Sequence, residues 1–442
     1  MRYTVGFGLI ELLLSDPKVQ DVNINSPNGT VPIYIVHEDF GDCYTNIYPT
    51  PQEVQSWATK LRLLSGRPLD EANPILDTEI TTETFSSRVS AVTAPLDPFG
   101  LGFSFRRHRD HPWTIPLYMS PKIRYLNKMA AGLLSFLIDG NVTILVAGTR
   151  SSGKSSLLGA ILVEIMRRYR IITIEDTLEL PNHSLRELGY NLECLKVGSA
   201  LSLNKGSEVD ASTGIRSTLR LGDSAIFVGE VRSKEAIALY EAMRVGAAAN
   251  VVAGTIHAAS PYGVYDRVVN DIGVPKTSFK ATDIIVVANP IRSADGKHRL
   301  KRVLRITEIR KMWEEDPMRE NGFVDLMVYN PKTDELEPTK DFMNGNSDIL
   351  KRIAGNIRDF AGDWDAVYNN IILRGECKQA LVELSQELED PNILEAKFVI
   401  MANDKFHLLT AKVRDSNGKI DNEKLLFKFK EFIRREAKRL ND

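Results

Sequence analysis

The sequence predicts an α/β protein in which a core with a parallel β-sheet follows a smaller α/β domain. The first observation is a series of short apolar runs without polar alternation, which is typical of strands buried on both faces of a sheet. Segments long enough for helices separate these runs, as expected for parallel strands joined by helical crossovers. The second observation is a glycine-rich motif between the first run and a helical segment. The runs cover residues 142–147, 171–174, 225–228, 251–256 and 284–288.

The composition of the 442-residue chain is that of a folded protein and argues against several other classes. The formal net charge of −2 and the lack of a basic–aromatic stretch argue against a nucleic-acid partner. Cys43, Cys194 and Cys377 lie far apart, which predicts neither a disulfide framework nor a cysteine metal site. The most apolar window, residues 129–138, is too short to span a membrane, and residues 1–16 lack the features of a signal peptide. We therefore expect a cytoplasmic protein.

Residues 1–110 are predicted to form the smaller α/β domain. Residues 88–92 and 103–107 are candidate strands, rich in apolar residues and bounded by polar turns. A helix is predicted to follow Thr50, which caps it, and Glu53 completes a capping box before apolar residues at helical spacing.

Three further segments are predicted along the chain. Residues 111–121 carry three prolines and little periodicity, which indicates a linker. The core is expected to cover residues 122–310, and residues 311–442 are expected to form a mostly helical extension. The last helix, residues 422–440, is basic and amphipathic, so it could contact anionic lipid or a membrane protein. We favour a packed last helix, because its phenylalanines and leucines are needed in a core.

The glycine-rich motif predicts a nucleoside triphosphate site. Residues 148–155 match the pattern G-x-x-x-x-G-K-[ST] at every fixed position, between a buried strand and a helix. The glycines let backbone amides curl around phosphate oxygens, and the helix N-terminus adds positive charge. Lys154 would reach the outer phosphates and the Ser155 hydroxyl would bind Mg²⁺, so ATP and Mg²⁺ are the expected ligands. The predicted nucleotide-binding residues are Gly148, Thr149, Arg150, Ser151, Ser152, Gly153, Lys154, Ser155 and Ser156.

Polar residues follow three further strands of the predicted sheet. Since ligands of parallel sheets bind beyond the carboxyl ends of the strands, these side chains should converge on the phosphate loop. Hydrolysis of ATP needs a carboxylate that orients water and a group that senses the γ-phosphate. The residues are Glu175, Asp176 and Glu179 after the second strand, Glu230 and Arg232 after the third, and His257 after the fourth.

These segments together carry a resemblance to a known family. The stretches GTRSSGKSS, TIEDTLELP, LRLGDSAIFVGEVR and GTIHAASPYGVYDRV resemble the phosphate loop, acidic box, atypical Walker B and histidine box of the traffic ATPases of type II and type IV secretion systems. They span residues 148–269 in the order of that family. The flanks GFGLIELLLSDPKVQDVNINSP and FVDLMVYNPKTDELEP are most similar to the archaeal branch, and the sequence lacks the four-cysteine zinc module usual in the bacterial type II branch.

The resemblance implies a RecA-like core after a PAS-like N-terminal domain, in ring-shaped hexamers beneath a membrane. Family members use ATP to power pilus assembly or retraction, protein secretion or the rotation of archaeal swimming filaments. A polytopic membrane platform protein would receive the movement and pass it to pilin-like or secreted subunits. The chain is therefore expected to be a motor ATPase on the cytoplasmic face of a membrane.

The resemblance also implies roles for individual residues. Glu230 would be the catalytic base, and Glu175 would position water or hold the metal ion through a water molecule. His257 would couple the γ-phosphate to domain movement. Arg88 and Arg106 of the N-terminal domain would reach the nucleotide, where the guanidinium fork suits phosphate oxygens. For both arginines the alternative is an exposed charge on a strand.

Departures from the family pattern leave two other functions open. Gly229 stands where a Walker B aspartate is usual, which this family commonly shows, whereas Ser224 and Ser233 stand where relatives often have aspartate. One alternative is a nucleotide-gated ring scaffold that hydrolyses ATP poorly, and the other is a phosphate-loop kinase of a small molecule. His108, Asp110 and His111 are candidate metal ligands, but next to the predicted linker a solvated basic turn is the preferred interpretation.

Overall fold

A computed structural model describes residues 6–82, 84–198, 209–233, 235–245, 251–293, 299–416 and 418–441. The chain divides into two units, Met1–Asp110 and His111–Asp442. The smaller unit has one apolar core cluster, and the larger unit has two.

The described residues of the smaller unit form a six-stranded antiparallel sheet and two helices. Its elements are α1 (Leu9–Leu14), β1 (Val19–Ile24), β2 (Tyr34–His37), β3 (Gly41–Tyr44), α2 (Pro51–Ser65), β4 (Ile75–Thr81), β5 (Ser86–Val92) and β6 (Gly102–Arg107). The strands lie in the order β3-β2-β1-β6-β5-β4. The capping box of Thr50 and Glu53 begins α2, and Gly66 ends it in the left-handed conformation, with φ 65°. This unit is the smaller α/β domain of the predicted fold class.

The larger unit is built on a nine-stranded sheet that is parallel over most of its width. Its strands are β7 (Thr143–Gly148), β8 (Arg170–Glu175), β9 (Asn191–Lys196), β10 (Ala225–Val231), β11 (Val252–His257), β12 (Ile284–Arg292), β13 (Arg299–Ile309), β14 (Phe323–Asn330) and β15 (Glu335–Pro338). They lie in the order β15-β14-β13-β12-β7-β11-β10-β8-β9. The strands from β12 to β9 in this order pair in parallel, and β13, β14 and β15 add an antiparallel edge. The predicted parallel core, with its phosphate loop after β7, is confirmed.

Helices cover both faces of this sheet. They are α3 (Ile115–Met119), α4 (Lys128–Asp139), α5 (Lys154–Val163), α6 (Asn182–Glu187), α7 (Ala211–Thr218), α8 (Glu235–Val245), α9 (Pro261–Tyr265), α10 (Lys276–Phe279), α11 (Lys340–Met343), α12 (Asp348–Gly355), α13 (Trp364–Glu387), α14 (Ala396–Lys412) and α15 (Asn422–Asn441), with π-helical Asp266–Asp271 and 3₁₀-helical Pro391–Leu394. Ile144 and Val146 of β7 lie in one apolar cluster, whereas Leu145 and Ala147 lie in the other. Burial on both faces explains why the strand sequence shows no polar alternation.

The structure has a buried helix where the sequence predicted a linker, in residues 111–121. Ile115 is fully buried and Tyr118 is 4% exposed in α3. Thr114 caps this helix through the backbone N–H of Leu117, and its hydroxyl donates to the carbonyl oxygen of Leu394 at 2.6 Å. The prolines therefore stand at the ends of a short packed helix rather than in a free connection.

The chain after residue 310 packs against the core. Helix α13 lies on α4, and two glycines bring the helix backbones into contact. A Cβ atom on Gly132 would lie 2.1 Å from the carbonyl oxygen of Ile371, and one on Gly375 would lie 2.5 Å from that of Lys128. Such close approach is available only to glycine.

Candidate active site

The phosphate loop connects β7 to α5 in a backbone path that only glycine permits at two points. A Cβ atom on Gly148 would lie 2.1 Å from the carbonyl oxygen of Ala288. Gly153 precedes α5 with φ 90°, in the left-handed region that favours glycine. Thr149, Arg150 and Ser151 are exposed between them. The loop is therefore open to solvent above the sheet edge, where a phosphate group would have to enter.

The side chain of Lys154 lies along the phosphate loop. Its Nζ atom donates to the carbonyl oxygen of Thr149 at 3.0 Å and lies 3.3 Å from Nδ1 of His257. Burial lowers the pKa of Lys154, and the nearby carboxylate of Glu230 opposes this shift. The contact brings the phosphate loop and the histidine box together, as the strand-end argument predicts.

A chain of polar contacts continues from His257 across the sheet edge. Nε2 of His257 lies 3.1 Å from Oε1 of Glu230. The second carboxylate oxygen of Glu230 accepts a hydrogen bond from Arg232, and Arg232 Nη1 also lies 3.2 Å from Oδ2 of Asp176. Burial, with the positive charge of Lys154, lowers the pKa of His257, so its ring is neutral at pH 7. A neutral ring accepts from Lys154 at Nδ1 and donates to Glu230 at Nε2, which assigns the tautomer.

Glu230 is ionised in this arrangement. Burial alone would raise its pKa, but the hydrogen bond and charge of Arg232, with His257 and Lys154, lower the pKa below its ordinary value. The same hydrogen bond raises the pKa of Arg232. The carboxylate can therefore accept a proton, although it is held by two positively polarised partners.

The hydroxyl of Ser155 has a carboxylate partner. Its Oγ donates to Oε2 of Glu179 at 2.5 Å. The residue at the usual Walker B aspartate position, Gly229, has no side chain to offer, and a Cβ atom there would lie 2.9 Å from Cγ of Glu175. Glu179 thus supplies the carboxylate next to Ser155. The sequence indicated Glu179 as one of three acidic strand-end residues, but nothing in the spacing singled it out.

Glu175 lies under the loop that follows β8. It is 2% exposed. One carboxylate oxygen accepts from the backbone N–H groups of Glu179 and Leu180, and the other from Nδ2 of Asn182, each at 2.9 Å. Burial raises the pKa of Glu175 to about 7, and these three hydrogen bonds oppose the shift. The contacts of Glu175 shape the loop that presents Glu179, and its predicted role toward water or metal stays a prediction.

Two residues outside the sequence motifs also support the phosphate loop. Asn289, in β12, accepts from the backbone N–H of Thr149 at 2.9 Å and donates to the carbonyl oxygen of Ala259 at 3.3 Å. The hydroxyl of buried Tyr125 donates to the carbonyl oxygen of Ser152 at 2.9 Å. The position of Asn289 directly after an apolar strand run is a signal that the strand-end argument could have used.

The two predicted arginines of the smaller unit lie on neighbouring strands. Arg88 in β5 is directly opposite Arg106 in β6, so both side chains lie on the same face of that sheet. Arg106 Nε donates to Oδ1 of Asp21 at 2.8 Å, and Arg88 is also opposite Glu79 of β4. Their contact with nucleotide stays a prediction. Within the described residues no group of three or more His, Cys, Asp or Glu side chains is arranged to hold a metal ion.

Similarity to known proteins extends across the core and both flanks. An uncharacterised protein of Methanocaldococcus jannaschii is 27% identical over 392 residues, which are 86% of this chain and 65% of that protein. A Mycobacterium tuberculosis protein named for conjugal transfer is 30% identical over 262 residues, or 58% of this chain and 70% of that protein. The X-ray structure of the Legionella pneumophila ATPase DotB covers 84% of this chain and 89% of its own, with 14% identity and a TM-score of 0.45.

The chain spans just under two thirds of the length of the M. jannaschii relative. None of the described helices is both long and apolar enough to cross a membrane. The model of the family described as type II/IV secretion system protein matches residues 70–319, which is more than half of the chain. The protein belongs to the type II/IV secretion system protein family.

Proposed function

We propose that the protein binds ATP with Mg²⁺ at the carboxyl edge of its parallel sheet and hydrolyses it to drive a secretion or pilus-like machine. The observation that carries the proposal is the contact chain from Lys154 through His257 to Glu230. It joins the lysine that would hold the terminal phosphate to an ionised carboxylate that could take a proton from water.

The donor set next to the phosphate loop fits a magnesium ion. Ser155 and Glu179 present oxygen atoms 2.5 Å apart, and Mg²⁺ prefers oxygen ligands from few protein groups together with phosphate oxygens. When bound, the ion would neutralise charge on the β- and γ-phosphates. The Ser155 hydroxyl and the Glu179 carboxylate would hold the ion at the start of α5. The backbone amides at this helix N-terminus also favour the phosphate groups of the nucleotide.

Binding of ATP would give Lys154 a further partner, because its ammonium group has three donors and only two protein partners here. Its ammonium group now donates to the carbonyl oxygen of Thr149, and a phosphate oxygen would be a stronger, charged acceptor. A shift of the ammonium group toward phosphate would weaken its contact with Nδ1 of His257, while Nε2 keeps Glu230. In this way His257 would report the presence of the terminal phosphate to the catalytic carboxylate.

Glu230 would orient the attacking water and accept its proton. For this it must be released in part from Arg232, whose guanidinium is shared with Asp176. Transfer of Arg232 toward Asp176 or toward phosphate would free one carboxylate oxygen. The ion pair would therefore restrain hydrolysis until nucleotide is in place.

The larger assembly is proposed from the family. We expect a homo-oligomeric ring of six subunits on the cytoplasmic face of a membrane, with a polytopic platform protein as partner and pilin-like or secreted subunits as cargo. Arg88 and Arg106 would bring positive charge from the smaller unit to the nucleotide, so that movement of the units follows hydrolysis. Nucleic acid is not an expected partner.

The substitution Glu230→Gln tests the catalytic assignment. Glutamine keeps the shape and one acceptor oxygen but cannot take the proton of water, so phosphate release should fall at least about a hundredfold with ATP binding retained. Glu241→Gln is a matched control, because Glu241 also pairs with an arginine, Arg216, at the surface of α8. Release at the wild-type rate by Glu230→Gln would overturn the assignment of the base.

The same assay separates the alternatives. Phosphate release in buffer without an acceptor supports a hydrolase, whereas consumption of ATP only after a metabolite is added would favour a kinase. Tight binding without release would favour a nucleotide-gated scaffold.

A further inference from the structure

The outer face of the last helix, α15, is strongly basic. Its inner face consists of Leu425, Phe429, Ile433 and Ala437, which are buried and spaced four residues apart against α13 and α14. The exposed charged side chains of the helix comprise six basic and two acidic residues, in a chain whose net charge is −2. The basic ones are Lys424, Lys428, Arg434, Arg435, Lys438 and Arg439.

An apolar side chain lies in the middle of this basic face. Phe427 is 69% exposed, although its neighbour Phe429 is in the core. Residues three, four, seven and eleven positions apart share a helix face, so Phe427 lies among Lys424, Arg434 and Lys438, with Glu423 and Glu431 one turn away on either side. Packing of α15 against the core explains why Phe429 is apolar, but it does not explain an apolar side chain at the exposed position 427.

Helix α14 extends the same surface. Lys405 Nζ lies 4.9 Å and the Arg435 guanidinium 5.5 Å from the ring centroid of Phe432 in α15, so α14 meets the flank of α15 that carries Arg435. Lys412 is exposed, and Leu408 is 55% exposed between Lys405 and Lys412 at helical spacing. The surface thus carries lysines and two exposed apolar side chains on neighbouring helices.

Three of these lysines have no ion-pair partner among the described residues. Lys424, Lys428 and Lys438 form no ion pair with any residue that the structure describes. At the flank of α15 the pattern differs, because Arg434 pairs with Glu387 at 2.9 Å. The charge of the three lysines is therefore available to external anions.

We propose that this face of α14 and α15 binds an anionic lipid surface. Lysine ammonium groups would contact lipid phosphates, and Phe427 and Leu408 would enter the boundary between headgroups and acyl chains. The proposal rests on the membrane location proposed above and adds to it the surface that makes the contact. It is independent of ATP hydrolysis.

The shape of the surface favours lipid over other anionic partners. The basic side chains stand along an exposed helix flank, and their apolar stems can extend beside Phe427 while the charges reach outward. An exposed aromatic side chain on a mainly basic helix face is typical of interfacial helices. Positive charge spread over two helices fits a fluid array of lipid phosphates.

Vesicle binding by the full chain, without nucleotide, tests the proposal. We compare vesicles of phosphatidylcholine alone with an equal mixture of phosphatidylcholine and phosphatidylglycerol. The variant K424E/K428E/K438E should bind the anionic vesicles at least about tenfold more weakly than wild type, since each basic residue near such a surface contributes measurably. The matched control is K332E/K340E/K351E, which makes the same charge change at exposed lysines elsewhere in the larger unit.

Phe427→Ser should weaken binding to anionic vesicles without changing the thermal unfolding of the protein. Absence of vesicle binding by wild type, or equal loss in both triple variants, would overturn the proposal. Tighter binding to a DNA duplex than to anionic vesicles, unaffected by Phe427→Ser, would assign the face to nucleic acid instead. A wild-type protein that binds vesicles but releases no phosphate would leave lipid binding standing and refute the proposed hydrolysis.

Discussion

Protonation of Glu175 should make the stability of the larger unit depend on pH. The carboxyl group is 2% exposed, and burial raises its pKa to about 7 from 4.5. In the unfolded chain the group loses its proton at a pKa near 4.5, whereas in the folded chain it keeps the proton up to about pH 7. Its contribution to stability is therefore fully present below pH 4.5 and is lost as the pH rises through 7.

The magnitude follows from the two pKa values. A difference of about 2.5 between folded and unfolded pKa corresponds to about 3 kcal/mol of unfolding free energy. Glu175→Gln removes this titration but keeps the shape. Any fixed cost of placing the amide next to Asn182 is the same at every pH.

The assay is urea unfolding followed by tryptophan fluorescence, for wild type and Glu175→Gln, between pH 4 and pH 8. We expect the unfolding free energy of wild type, relative to that of the variant, to fall by about 3 kcal/mol across this range. If the difference in unfolding free energy between wild type and Glu175→Gln does not change with pH, the reasoning is refuted. It would mean that the hydrogen bonds from Glu179, Leu180 and Asn182 keep Glu175 ionised in the fold.

Two further substitutions test packing and the phosphate loop. Gly132→Ala should destabilise the protein by about 3 kcal/mol, because its Cβ atom would collide with backbone of α13. The control is Gly355→Ala, which has open space around its Cβ position and should leave stability unchanged or raise it by up to about 1 kcal/mol. Equal changes of the thermal unfolding temperature in the two variants would contradict the close contact between α4 and α13. Asn289→Ala should weaken ATP binding about fivefold, because the backbone amide of Thr149 would lose the partner that holds it in the phosphate loop. The control Asn330→Ala should leave ATP binding unchanged. Both are measured by titration with a fluorescent ATP analogue.

The meeting of polar side chains at one edge of the sheet was predictable from sequence, because parallel strands place their carboxyl ends at the same edge. Lys154, Glu230 and His257 meet there as that rule requires. The partner of Ser155 was not predictable, since Glu179 lies in an irregular loop four residues after Glu175, the last residue of β8. Glu179 rather than Glu175 pairs with Ser155 because the Glu175 side chain turns beneath the loop that follows it, into space that Gly229 leaves open.

Long-range packing was the other part that the sequence did not reveal. Residues 111–121 show the prolines of a linker, but Ile115 and Tyr118 are buried in the larger unit. The contact of α13 with α4 depends on two glycines, Gly132 and Gly375, that are far apart in the sequence. Local periodicity carries no information about such pairs.

The most direct test of the proposed function is phosphate release from ATP per subunit as a function of protein concentration. We predict that the rate per subunit rises and then levels off at a finite value, because assembly would complete each site with residues such as Arg88 and Arg106. No phosphate release at any concentration, with ATP bound, would contradict a motor ATPase.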